Sequence, residues 1–128
     1  MTHNKKVNRH DVEAFVRRDW AAANADALEA LLRATIRAGR WLQDPAHAAE
    51  AQAILAAATG LPTDEVTDTY RLYVQQGGIL SREGELSDAS MQAVLDVMRE
   101  EGLLADASPL DRYLDLSYWR RAHAAVGA

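Results

Sequence analysis

Four histidines, His3, His10, His47 and His123, are the residues of this chain best suited to carry protons or ligate a metal. They are scattered. None has a second histidine or a carboxylate three or four residues on, along a shared inward helix face in a metal-ligand spacing. His47 lies with Ala51 and Ile54 at the start of a helical pattern and reads as a histidine at the edge of a core. The serines at 81, 87, 90, 108 and 117 have no nucleophile-elbow context. A serine nucleophile needs a positioned base and an oxyanion hole, and Ser87 and Ser108 are already accounted for as helix caps. Arg33, Arg37 and Arg40 form a basic stripe that could hold a sulfonate or phosphate. Glu29, four residues before Arg33, makes a solvated ion-paired face the simpler reading. Tyr70 with Tyr73, and Tyr118 with Trp119, could line an aromatic pocket, but at helical spacing they read as core. Gly77-Gly78 has no strand before it and no helix directly after, as a phosphate loop requires. A helix-turn-helix over TGLPTDEVTDTYRLYVQQGG has suitable turn chemistry, yet its second helix carries one arginine against an excess of acids. No catalytic, cofactor-binding or metal-ligating residue is assigned, and the chain is not read as an enzyme.

The elements that would position any site follow from periodicity. The stretch WAAANADALEALLRATIRAGRWLQDP, from Trp20 to Pro45, is the organising one. Leu28, Leu31, Leu32, Thr35, Ile36, Gly39 and Leu42 recur on one helical face, and Ala30, Ala34 and Trp41 form a second apolar strip almost opposite. A helix apolar on two sides is expected to pack on two sides. Asn24 is its expected N-cap, and Asp44-Pro45 stops it while starting the next helix, AHAAEAQAILAAAT. Gly60 ends that helix, with Leu61 placed for a Schellman-type stop. Thr63 caps a further helix with Val66, Tyr70, Tyr73 and Val74 on its inner face, closed by Gly77-Gly78. ILSREGEL, residues 79–86, reads as a tight turn or a minimal hairpin. Ser87 opens a helix bearing Met91, Val94, Leu95 and Met98, which Gly102 ends with Leu103 set to pack back on Met98.

Two regions stay open in the sequence. Val12, Phe15, Val16 and Trp20 fit a short helix from Asp11, while VEAFV could equally pair as a strand. The last unit is either one helix with a Ser108–Asp111 capping box, or a short turn over Pro109 to Tyr113 and then a helix capped by Asp115. Residues 1–10 have no periodicity and are expected to form a disordered tail, with 11–128 a single helical domain. The expected fold is all-α, with five or six short helices.

A length of 128 residues suits one core. Fourteen basic and 19 acidic residues give a net charge of −5, which offers no electrostatic reason to bind nucleic acid or anionic lipid. With no cysteine there is neither a disulfide framework nor a thiolate zinc site. MTHNKKVNRH has no apolar core of a signal peptide, and no run is long enough to span a bilayer, so neither export nor membrane insertion is expected of the chain as written.

The ordered set RRDWAAANADALEALLRATIRAGRWLQDP, AQAILAAATGL, TYRLYVQQGGIL, LSDASMQAVLDVMREEGLL and YLDLSYWRRA resembles a known family. It is similar to the C-terminal part of the nitrate/sulfonate/taurine-type substrate-binding proteins of bacterial ABC transporters, a group that includes thiamine-pyrimidine binders. The resemblance spans about residues 14–124 and only about the last third of the family's length. It implies the helical C-terminal segment of a two-lobe α/β periplasmic binding protein, whose lobes close over a small anion or heterocycle. Ligand residues in that family come mainly from the preceding two-thirds, so none carries onto a position of this sequence. Val12 to Arg18 would be a returning strand in such a parent, and Ala25 stands where a proline often follows the capping asparagine. The implied partners are the missing lobe or, for the chain alone, a second copy in a homodimer. An ABC permease would be a partner only of a full-length protein, and a periplasmic location follows from the resemblance alone. The alternative function is a stand-alone α-helical protein-interaction module.

Overall fold

The computed structural model describes residues 15–76, 80–105 and 109–127. Among them there are six α-helices and no strand: α1 (Arg18–Ala23), α2 (Ala25–Gln43), α3 (Ala48–Thr59), α4 (Thr63–Tyr70), α5 (Asp88–Glu100) and α6 (Ser117–Val126). The all-α expectation holds. Short 3₁₀ turns lie at Pro45–His47 and Leu110–Arg112, and α4 runs directly into a π-helical turn, Arg71–Gln76.

α2 is the hub. It packs most extensively on α6 and also touches α1, α3 and the π-helical turn. Its buried side is narrower than the periodicity predicts. Leu28 and Ile36 are buried, but Leu31 is 58% exposed, and Ala30, Ala34 and Thr35 face solvent. The second strip is therefore not a packed face, although half-buried Trp41 stacks on His47 with ring centroids 4.9 Å apart. Among the described residues the remaining buried hydrophobics are few, and three are alanines: Ala21, Ala51, Val66, Tyr70, Met91, Leu95 and Ala122.

Helix ends follow local chemistry closely. Asp44 accepts from the Ala46 N–H at 2.9 Å with Pro45 at the first helical position, and Ser87 accepts from the Ser90 N–H at 3.1 Å. Gly102, in the left-handed region at φ 71°, closes α5 in a Schellman motif: Leu103 N–H donates to Met98 C=O and Gly102 N–H to Arg99 C=O. Leu103 nevertheless points out, 70% exposed, and it is half-buried Leu104 that turns inward. Gly60 ends α3 by the simpler single bond, from its N–H to Ala56 C=O, while Leu61 N–H goes to the Thr59 hydroxyl instead of completing a Schellman pair.

Other expectations are corrected. Residues 15–17 are not helical: Arg17 has extended backbone, and the helix begins at Arg18. The first part of the expected segment, 11–14, lies outside the described residues, as do the 1–10 tail, Gly77-Gly78 and Ser108. Asn24 does not accept at the start of α2. It is also the last residue of the preceding turn, and its side-chain amide donates back to Trp20 C=O at 2.9 Å. Pro62, not Thr63, precedes the first residue of α4, so the Thr63 side chain makes no cap bond; Tyr73 is exposed because the π turn shifts its register. The C-terminal region takes the second of its two readings: the turn at Leu110–Arg112 is followed by α6, with the Asp115 carboxylate accepting from the Ser117 N–H at 2.9 Å. That bond and the Ser117 hydroxyl hold the Asp115 carboxyl below its usual range.

Residues 80–86 form no hairpin among the described residues; they cross α2 at Gly39. A β-carbon on Gly39 would stand 2.5 Å from the Arg82 carbonyl oxygen and 3.3 Å from that of Ser81. Gly39→Ala should therefore lower stability by about 1 kcal/mol in urea denaturation, because about 2 kcal/mol of overpacking outweighs about 1 kcal/mol of improved helix propensity. A gain of about 1 kcal/mol, the usual result at a solvent-facing helix glycine, would refute this close approach.

Candidate functional site

Two features stand out, and they share a wall. The first is a charged cluster around Glu83. From α2, Arg40 reaches its carboxylate with Nε at 3.1 and 3.0 Å from the two oxygens and Nη2 at 2.8 Å from Oε2. From α6, His123 Nε2 lies 3.1 Å from the same Oε2, and Trp119 Nε1–H donates to the Glu83 backbone carbonyl at 2.8 Å. The Trp119 and His123 rings are stacked, 4.8 Å between centroids, as their i,i+4 spacing on one helix face allows. Arg82 adds a longer approach to Glu83, at 3.7 Å. One residue on an irregular segment thus ties together the two helices that pack most extensively.

The hydrogen bonds from Arg40 hold the Glu83 carboxyl below the usual glutamate range against the opposing effect of its partial desolvation, and His123 adds a smaller pull in the same direction. The arrangement is a fixed ion pair with an imidazole beside it. Chemically it can hold a segment in place. It lacks the nucleophile and oxyanion donors of a hydrolytic site.

The sequence assigned these residues to other roles. Arg40 belonged to the solvated stripe, Glu83 to a turn, Trp119 to an aromatic core pair and His123 to the scattered histidines. Arg33 and Arg37 remain on the stripe, but Glu29 does not pair with Arg33: it accepts from Arg121 Nε at 2.6 Å, which raises the Arg121 pKa and ties α2 to α6 a second time. The pertinent signal was the Trp119–His123 spacing together with an acid set between the apolar ends of ILSREGEL. His47 sits at a core edge as expected, half-buried against Trp41. Among the described residues no group of three or more His, Cys, Asp or Glu converges as a metal ion would need. No described helix is long and apolar enough to cross a membrane.

The second feature is an apolar cavity of about 690 Å³ between α2, α5 and the approach to α6. Leu28 and Leu32 line it from α2, and Met91, Leu95 and Met98 from α5. Leu114 and Leu116 close the α6 side, and Gly84 and Leu86 supply the wall adjoining Glu83. Phe15 and Val16 form part of its lip, Phe15 being 83% exposed. Arg18, also at the lip, donates through Nη2 to the carbonyls of Asp111 and Arg112 at 2.6 and 2.8 Å and so pins the 3₁₀ turn to α1. The volume falls within the range of small-molecule sites; the lining is mostly apolar, with Tyr113, Tyr118 and Trp119 among its aromatic members and Arg18, Arg112 and Asp115 as its charged ones.

Because the folded-state pKa of Glu83 is depressed, its contribution to stability is full above the ordinary glutamate value, about 4.3, and is lost as pH falls through the lower folded value. Glu83→Gln should accordingly flatten the pH dependence of the urea midpoint below about pH 5. An unaltered acid limb would mean that the ion pair contributes nothing to it.

Comparison with known proteins returns no matching family model, no similar curated protein and no similar solved structure.

Proposed function

We propose that this chain is the helical C-terminal segment of an ABC-importer solute-binding protein of the nitrate/sulfonate/taurine class, and that alone it does not capture solute. The observation that carries the reading is the apolar cavity with the non-helical residues Phe15 and Val16 at its lip. Helices α2 and α5 turn aliphatic side chains into a space that nothing in the described chain fills. The segment at its lip, residues 15–17, is not helical, and Arg17 at its end is extended. A helical layer that leaves such a face is what remains when the α/β lobe it packs against is absent. The reading assigns no catalysis to the chain and makes the missing lobe its natural partner.

A second reading, an independent helical interaction module, is favoured by how many side chains join distant parts of the chain. Arg18 to the 3₁₀ turn, Glu29 to Arg121 and Arg40 to Glu83 hold its shape without outside help. In that case the uncovered surface pairs with a second copy, since symmetric two-fold pairing is the commonest closed solution. Phe15, 83% exposed, and Trp20, 44% exposed, are its expected contacts; Trp41, already stacked on His47, is a weaker one. The DNA upstream separates the readings. An in-frame or frameshifted α/β lobe supports the importer segment, and a promoter directly before the first codon supports the module.

Titration calorimetry of the isolated chain with nitrate, taurine, an alkanesulfonate and a thiamine pyrimidine should show no saturable micromolar binding, because an open site loses the desolvation that strengthens its hydrogen bonds. Saturable binding by a monomer would place a complete site in this chain and sink the importer-segment reading. Light scattering coupled to size exclusion should show a dimer at micromolar concentration that Phe15→Asp shifts toward monomer. A concentration-independent monomer without dye binding would remove the argument from uncovered apolar surface.

A further inference from the structure

We infer that residues 80–86 are a hinged strap that opens as a unit, with the Glu83 side chain as its catch and with Gly84 and Leu86 carrying one wall of the apolar cavity. The inference is independent of the importer reading, for it concerns only how the cavity is walled.

The strap is fastened by side chains. Among the described residues, no backbone hydrogen bond joins 80–86 to a helix. Its fastenings are Gln43 Nε2 to the Leu80 carbonyl at 2.7 Å, the Arg40 fork on the Glu83 carboxylate, His123 on that carboxylate, and Trp119 Nε1 on the Glu83 carbonyl. All but the first converge on one residue. Within it, Glu85 N–H donates to the Ser81 hydroxyl at 3.2 Å and Arg82 lies 3.7 Å from the Glu83 carboxylate, so the segment keeps a shape of its own. The contact at Gly39 is backbone against backbone with no side chain to grip. A segment without ladder bonds, most of whose attachments meet at one residue, opens with a lower free energy than the helices beneath it.

The hinge geometry is also present. Gly84 takes φ 67°, a left-handed bend directly after the catch, and a β-carbon there would find nothing nearer than the Thr35 methyl at 3.9 Å. The bend has room to rotate. Beyond it, half-buried Leu86 points into the cavity just before Ser87 fixes the chain at the start of α5. Swinging the strap about its Ser87 end, with Gly84 taking up part of the change in backbone angle, would draw Leu86 from the cavity while leaving α2, α5 and α6 in place.

Amide hydrogen exchange of the full chain at pH 7, read by mass spectrometry or NMR, tests this directly. In the unmodified protein, amides of 80–86 should exchange as one block, at least tenfold faster than those of the α2 and α5 interiors. Glu83→Ala should speed that block by a further tenfold or more, and Arg40→Met by less, with the helical far-ultraviolet signal retained. Nile red, a neutral dye that does not report on the charge change, should bind severalfold more in Glu83→Ala. Exchange of 80–86 together with α2 and α5 in the unmodified protein would overturn the proposal, and so would protection of 80–86 that is unchanged in both variants. The measurement on the unmodified chain decides even if a variant fails to fold.

Discussion

The α2–α6 side of the molecule depends on a single close approach, the Arg82 carbonyl lying where α2 has no β-carbon at Gly39. There an irregular segment comes near enough for Glu83 to sit between Arg40 and His123. A β-carbon at position 39 would push the Arg82 carbonyl away from α2, next to the residue that Arg40 holds with bonds of 2.8–3.1 Å. A missing methyl group thus sets the position of a charged cluster, and the cluster in turn sets the position of Trp119 through the Glu83 carbonyl. α6 takes its place on α2 from Ile36 and Ala122, both almost fully buried, and from these polar ties together.

The parts of this arrangement that were legible in the sequence are those governed by neighbours along the chain. Asp44-Pro45, Ser87, Gly60, Gly102 and Asp115 mark helix ends because a cap or a left-handed residue acts within about three residues of itself. The all-α class followed from periodicity for the same reason. What was not legible depends on partners far away in sequence. Leu31 and Trp41 occupy positions as favourable for burial as Leu28 and Ile36, and only the direction from which α6 arrives decides that Leu31 faces solvent. Glu29 had a suitable partner four residues on, yet Arg121 takes it. An exposed i,i+4 pair contributes only about 0.3–0.5 kcal/mol, so it yields readily to any better-placed partner. The Glu83 cluster joins three segments separated by about 40 residues each, and no local pattern announces it.

Polar ties matter unusually here because apolar burial is thin. Among the described residues the deeply buried hydrophobics include three alanines, and Ile36 and Val66 are the largest side chains buried almost completely. Much of the remaining apolar surface lines the cavity or lies open, as at Phe15, Leu103 and Leu31. Burial of this kind favours compaction but does not specify a unique arrangement, since half-buried aliphatic groups can slide past one another at little cost. Directional bonds from Arg18, Arg40, Trp119, Gln43 and Arg121 do specify one, each joining segments that the hydrophobic contacts leave loosely registered. The consequence differs from place to place. Arg18 and Arg121 join segments that are themselves helical or capped, so losing either would leave its element intact. Glu83 lies on a stretch with no regular structure, and among the described residues the hydrogen bonds from 80–86 to the helices all involve side chains. The cavity is therefore walled by helices, by the irregular stretch before α6 and, on the side next to the charged cluster, by a segment held mainly through Glu83.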